Sequence, residues 1–220
     1  YYTSSGLALD VAAPGMAILT TDSDTGGDNY VFTGDIASVF FSSPLVASLE
    51  GMLISKDPTL TADEVYTIVK SSADRIFRPN DAYVGIGRIN AYAAMKMLPL
   101  HAVAKLNKTP YYNISNETPY PIIPLFSPSP IYGSAYGQNF AYYTLEYSDS
   151  GENYPSTYRL LNSSSTPVNA GILGYFDSQY NDSNIHKIKA RLKVYLQDGR
   201  VLLDERIFSV YGYRLTIMNL

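Results

Sequence analysis

Cysteine is absent from the 220 residues, which excludes disulfide frameworks, thiolate zinc sites and cysteine redox chemistry. Charge is also scarce. Asp, Glu, Lys and Arg make up 16% of the chain, and 16 basic residues against 20 acidic ones leave a net charge of −4. A chain without a basic surplus lacks the electrostatic footprint of a nucleic-acid binder. No apolar run reaches the roughly 18 residues that a helix needs to span a bilayer. Against these shortages, 46% of the residues are hydrophobic. That is enough to bury a core, in one large domain or two small ones, and it sets aside disorder by composition.

The chain changes character near Pro99. Seven of the 13 prolines fall between positions 99 and 130, a density that forbids helix and central strand and predicts a linker or edge segment. Beyond it, 15 of the 21 tyrosines lie between Tyr111 and Tyr213. The expected organisation is therefore helix-rich α/β material over 1–98, a Pro-rich linker or edge segment over 99–130, and a β-sandwich-like domain over 131–220.

Local signals place the elements of the first half. Residues 8–13 form a short apolar strand that stops at Pro14-Gly15, a turn dipeptide. Ser43-Pro44 reads as an N-cap with proline at the first helical position, opening a nearly uncharged, buried helix over 45–54. Thr61 and Glu64 form a capping box. The helix that follows runs to about Ala73, with Ala62, Val65, Ile68 and Val69 on one face. Asn90 caps a last helix over 91–98, which Pro99 ends.

In the second half, Ile188, Ala190, Leu192, Val194 and Leu196 alternate with polar residues and predict the buried face of a strand. Asp198-Gly199 reads as a two-residue hairpin turn, which sets Lys193 opposite Asp204. The stripe Lys187, Lys189, Arg191 and Lys193 then becomes the solvated face of an edge hairpin. Residues 142–147, 157–161 and 214–218 are further candidate strands, together suggesting a sandwich.

Five Asn-x-Ser/Thr sequons begin at Asn107, Asn113, Asn116, Asn162 and Asn181. Two readings are open: polar loop composition, or an exported, N-glycosylated protein whose loops carry carbohydrate. The second sets the expected localisation, extracellular or at the cell surface. Asp22, Asp24 and Asp28 share a Gly-containing loop, the kind of oxygen cluster calcium uses. No Glu follows at the expected offset, so the loop reads as an ordinary polar one with calcium as its alternative. No other metal or cofactor is expected. His101 and His186 read as surface residues.

Four ordered pieces of the first half, within residues 6–96, resemble the C-terminal part of a subtilisin-like serine protease (subtilase) domain. Gly6-Leu-Ala-Leu-Asp-Val-Ala-Ala-Pro-Gly15 is similar to a family strand and turn. Ser42-Ser-Pro-Leu-Val-Ala47 is similar to the end of the serine motif and its buried helix. Pro58-Thr-Leu-Thr-Ala-Asp-Glu-Val65 resembles the next helix start, and residues 85–94 resemble the final strand and helix. The resemblance implies a doubly wound, mainly parallel α/β sheet, here followed by an all-β sandwich-like domain. The second half resembles no family.

The chemistry of the family motif, Gly-Thr-Ser-Met-Ala-Ser-Pro, does not carry over. Anchored on Ser43-Pro44, the third position is Phe40, in Ser38-Val-Phe-Phe-Ser-Ser-Pro44. A phenyl ring has no lone pair to attack a carbonyl and no proton for a base to remove. Phe40, Phe41, Ser42 and Ser43 thus mark a former cleft at a helix N-terminus, and no catalytic residue is expected. The family's Asp, His and oxyanion Asn would all precede the matched region. Half of a parallel sheet leaves an apolar edge and face bare. The expected partner is therefore an upstream N-terminal fragment of the same precursor, separated by proteolytic processing near Tyr1. Three roles follow: a noncatalytic pseudoprotease with a binding role; a glycosylated subunit of a surface layer, filament or complex, by self-assembly or with other surface proteins; or a processed part of an active serine endopeptidase whose catalytic residues lie in another chain.

Overall fold

The computed structural model describes residues 9–21, 30–32, 39–76, 85–107, 122–123, 128–149, 157–177 and 185–211. In chain order the first elements are β1 (Leu19–Thr21), β2 (Tyr30–Phe32), α1 (Val39–Lys56), α2 (Ala62–Ser71) and α3 (Ala91–Lys96). The strands β3 (Ala102–Leu106), β4 (Ile122–Ile123), β5 (Ser129–Gly137), β6 (Phe140–Ser148) and β7 (Arg159–Ser164) follow. The last three are β8 (Val168–Phe176), β9 (Ile185–Leu196) and β10 (Val201–Tyr211).

Two sheets dominate: five strands in the order β4-β10-β9-β6-β7 and three in the order β3-β5-β8. All their pairings are antiparallel except β4 with β10. One hydrophobic core joins both sheets to the helices, running from Leu49, Leu53, Val65 and Ile68 to Leu106, Ile131, Leu145, Leu192 and Phe208. The molecule is β-rich and mainly antiparallel. The parallel sheet expected of the first half is reduced, among the described residues, to a bridge between Ala12 and Arg88. Around it Ile86 N–H donates to the Asp10 carbonyl and Ile89 N–H to that of Ala12. Residues 9–13 run beside this segment without forming the expected strand.

The capping box is present as read: Glu64 N–H donates to Thr61 Oγ1, and the Glu64 carboxylate accepts from Thr61 N–H at 2.7 Å. Val65, Ile68 and Val69 are buried, whereas Ala62 is exposed. Asn90 caps α3, its side chain accepting from Ala93 N–H. The five alternating residues of β9 are all buried. Strands β6 and β7 cover most of two further expected segments, while 214–218 lies outside the described residues.

Two of these expectations need correction, and another takes one of its two forms. First, α1 begins at Val39, so Ser43 lies inside the helix and does not cap it. Pro44 is an interior residue that cannot donate to the Phe40 carbonyl. Second, of the two forms open to residues 99–130, linker or edge segment, the described part includes an edge strand. Strand β3 pairs with β5 as an edge strand, and Ala102, Val103, Ala104 and Leu106 are fully buried. Pro130 is accommodated near the start of β5, beyond the part paired with β3. Third, the β9–β10 turn has three residues. Leu196 and Arg200 face each other, Gly199 N–H donates to the Leu196 carbonyl, and Gly199 takes φ 87°. That is the turn-plus-left-handed-glycine form of hairpin. The extra loop residue shifts the register by one: Lys193 meets Leu203, and Asp204 meets the buried Leu192. Asp204 consequently faces inward.

Close approach at the β3–β5–β8 sheet also depends on glycine. A Cβ on Gly133 would lie 2.3 Å from the Lys105 carbonyl oxygen and 2.5 Å from Leu173 Cδ1.

Candidate functional site

The former-cleft residues sit in the first turns of α1. Phe40 is 82% exposed, Phe41 and Ser42 are half-buried, and Ser43 is exposed. Ser38 lies outside the described residues. The rest of α1 departs from the buried helix expected. It is apolar around most of its circumference, with Glu50 its only acidic residue, yet among the described residues of α1 only Leu49 and Leu53 are buried. Leu45, Met52 and Ile54 are exposed, Met52 by 51%. A helix that is apolar on all sides is normally buried on all sides.

The most concentrated polar chemistry lies where α2 meets the sandwich. Lys70 is only 2% exposed; its ammonium donates to Asp10 Oδ1 at 2.9 Å and to the Tyr66 hydroxyl at 2.8 Å and forms an ion pair with the Asp204 carboxylate. Asp204 is fully buried. Its Oδ2 accepts from Leu106 N–H at 2.7 Å, while its Oδ1 makes the ion pair without a well-aligned hydrogen bond. Tyr66 donates to Asp10 and accepts from Arg206 at 3.3 Å.

Burial works against the Lys70 charge, but Asp204, Tyr66 and Asp10 outweigh it and hold the ammonium protonated well above its ordinary range. For Tyr66, burial and then the Asp204 charge push the phenol upward. Burial would raise Asp10, yet Lys70 and the Tyr66 hydroxyl bring it below the usual carboxylate range. The arrangement holds charge in place. It presents no nucleophile beside a base.

His101 does not resemble a free general base. Its Nε2 lies 3.4 Å from Asp57 Oδ2 and its Nδ1 3.4 Å from Glu64 Oε1, so both nitrogens face carboxylates. His186 is half-buried on β9. The basic stripe is not a solvated face: Lys189 is buried, and Arg191 and Lys193 both reach Glu146. Burial lowers the Lys189 pKa.

Of the sequons, Asn162 Nδ2 donates to the Leu173 carbonyl at 2.6 Å and to the Tyr143 hydroxyl at 3.2 Å. The nitrogen that would carry a glycan thus ties β7 to β8. Asn107 is half-buried just after β3. Asn113, Asn116 and Asn181 lie outside the described residues, as do Asp22, Asp24 and Asp28. Among the described residues, no group of three or more His, Asp or Glu is placed to hold a metal ion.

The reading of the sequence missed the Lys70–Asp204 pair. A signal for it exists: in β10, Leu202, Asp204 and Phe208 share one face, so a carboxylate falls between buried apolar residues and demands a cation.

No protein-family model matches the chain. It is 34% identical over 93 residues to subtilisin E of Bacillus subtilis (strain 168), to subtilisin J of Geobacillus stearothermophilus and to subtilisin amylosacchariticus of Bacillus subtilis subsp. amylosacchariticus. The match covers 42% of this chain and 22% of each relative, so the chain spans about a fifth of the length of the curated relatives it matches. In that portion the chain is similar to subtilisins.

Proposed function

We propose that this chain is a noncatalytic, secreted member of the subtilisin-like group that works by binding, docked through α1 to the remainder of such a domain carried on an upstream segment of the same precursor. The observation that carries the reading is α1, whose residues Leu45, Met52 and Ile54 are exposed among the described residues. The similarity to part of the subtilisins supports it from a second side. Phe40 at the nucleophile position supplies the noncatalytic half, since no acyl-enzyme can form on a phenyl ring. The sequons point to an extracellular or cell-surface setting, with Asn107, Asn113, Asn116 and Asn181 as the acceptors to test first.

Two measurements test this. Native mass spectrometry of the intact sample should show a second, subtilisin-like polypeptide travelling with this chain. Repeated copies of this chain alone would favour instead the glycosylated assembly subunit. A fluorophosphonate probe, which labels only activated serines, should leave this chain unmodified. Labelling at Ser38, Ser42 or Ser43 would establish a nucleophile outside the family register and overturn the noncatalytic reading.

A further inference from the structure

Among the described residues, β3 and β10 each have a side that pairs with no strand, β3 as the edge of the three-stranded sheet and β10 where it runs past the end of the two-residue β4. Such sides present bare backbone donors, which pair readily with a strand of another molecule. Here α2 lies against both. Thr67 Oγ1 accepts from Ala104 N–H at 3.2 Å while donating to the Asp63 carbonyl one turn back. Ser71 Oγ accepts from Leu203 N–H at 2.9 Å. Leu106 N–H is taken by Asp204, whose carboxylate is paired with Lys70 of the same helix. Side-chain oxygens therefore stand where the carbonyls of a neighbouring strand would stand. Lys105, the lone charge of β3, is drawn to Asp63 and so does not guard the edge by itself.

We propose that α2 is a built-in edge cover: its polar stripe Asp63, Thr67, Lys70 and Ser71 keeps the free sides of β3 and β10 from adding a strand of a second copy of this chain. The spacing suits the task, because residues 63, 67, 70 and 71 recur on one face of a helix. The inference does not rest on the subtilisin-like reading, since it concerns only the contact between α2 and the two strands.

The test uses the full chain carrying Thr67→Val and Ser71→Ala together, which removes both capping oxygens with little change of shape. Hydrogen exchange should be about tenfold faster at the Ala104 and Leu203 amides, with the centre of β9 unaffected. Sedimentation velocity should show concentration-dependent association of protein that keeps its near-ultraviolet dichroism, and Thr67→Ser alone should remain monomeric. Unchanged exchange at both amides would overturn the proposal, as would faster exchange in a variant that stays monomeric at every concentration. If the double variant does not fold, Thr67→Val and Ser71→Ala taken singly carry the same two readouts.

Discussion

Lys70 and Asp204 form a pair whose cost and worth are both set by burial. Taking two charges out of water costs several kcal/mol per ion, and their attraction offsets this only when the remaining protons and lone pairs are satisfied. Lys70 meets the condition through Asp10 and the Tyr66 hydroxyl beside its ion pair; Asp204 meets it in part, through Leu106 N–H. Removing one partner strands the other. Asp204→Ala is therefore expected to destabilise the chain by about 3–5 kcal/mol, read from urea midpoints at constant slope. The double replacement Lys70→Met with Asp204→Leu should cost much less than the two single changes added together, because no orphaned charge remains. Additive losses would mean that the two side chains are not coupled.

At the scale of elements, one loop residue decides a great deal. A two-residue turn at Asp198-Gly199 would have set Lys193 opposite Asp204 and turned both to solvent. The three-residue form places Asp204 among Leu202, Phe208 and Leu192 instead. Gly199 makes that form possible, at φ 87° with open space where a Cβ would project. Gly199→Ala should thus lower stability by about 1 kcal/mol through backbone strain alone. Gly199→Asn should cost less, because Asn tolerates the left-handed region. Thermal unfolding of the two variants side by side checks this, and equal losses would indicate a steric cause.

For the whole molecule, these ionisations set the pH range of stability. Asp10 titrates lower in the folded than in the unfolded chain. Its stabilisation is present above about pH 4 and fades as pH falls toward its folded value. Lys70 and Tyr66 titrate higher when folded. The unfolded chain then sheds their protons first, and stability declines once pH rises above about 10. A plateau between these limits is expected, measured as Tm by calorimetry across pH. In Lys70→Met the alkaline decline should be shallower, since one of the groups that titrate higher when folded is gone.

Features that depend on neighbours within one turn or one strand were legible in the residues themselves. The Thr61–Glu64 box, the Asn90 cap and the alternation from Ile188 to Leu196 all appear as read, because hydrogen bonds and periodicity over three or four residues require no distant partner. The helix around Pro44 was placed, but not its start, since nothing local marks Val39 as the first residue. What the tertiary structure decided is which surfaces meet: that β3 sinks into the core despite the prolines around it, that Lys70 closes on Asp204, and that, among the described residues, α1 buries Leu49 and Leu53 while Leu45, Met52 and Ile54 stay exposed. Each of these depends on residues far apart in the chain being brought together. Composition and spacing say that an apolar or charged group needs a partner; only the packed chain supplies which one.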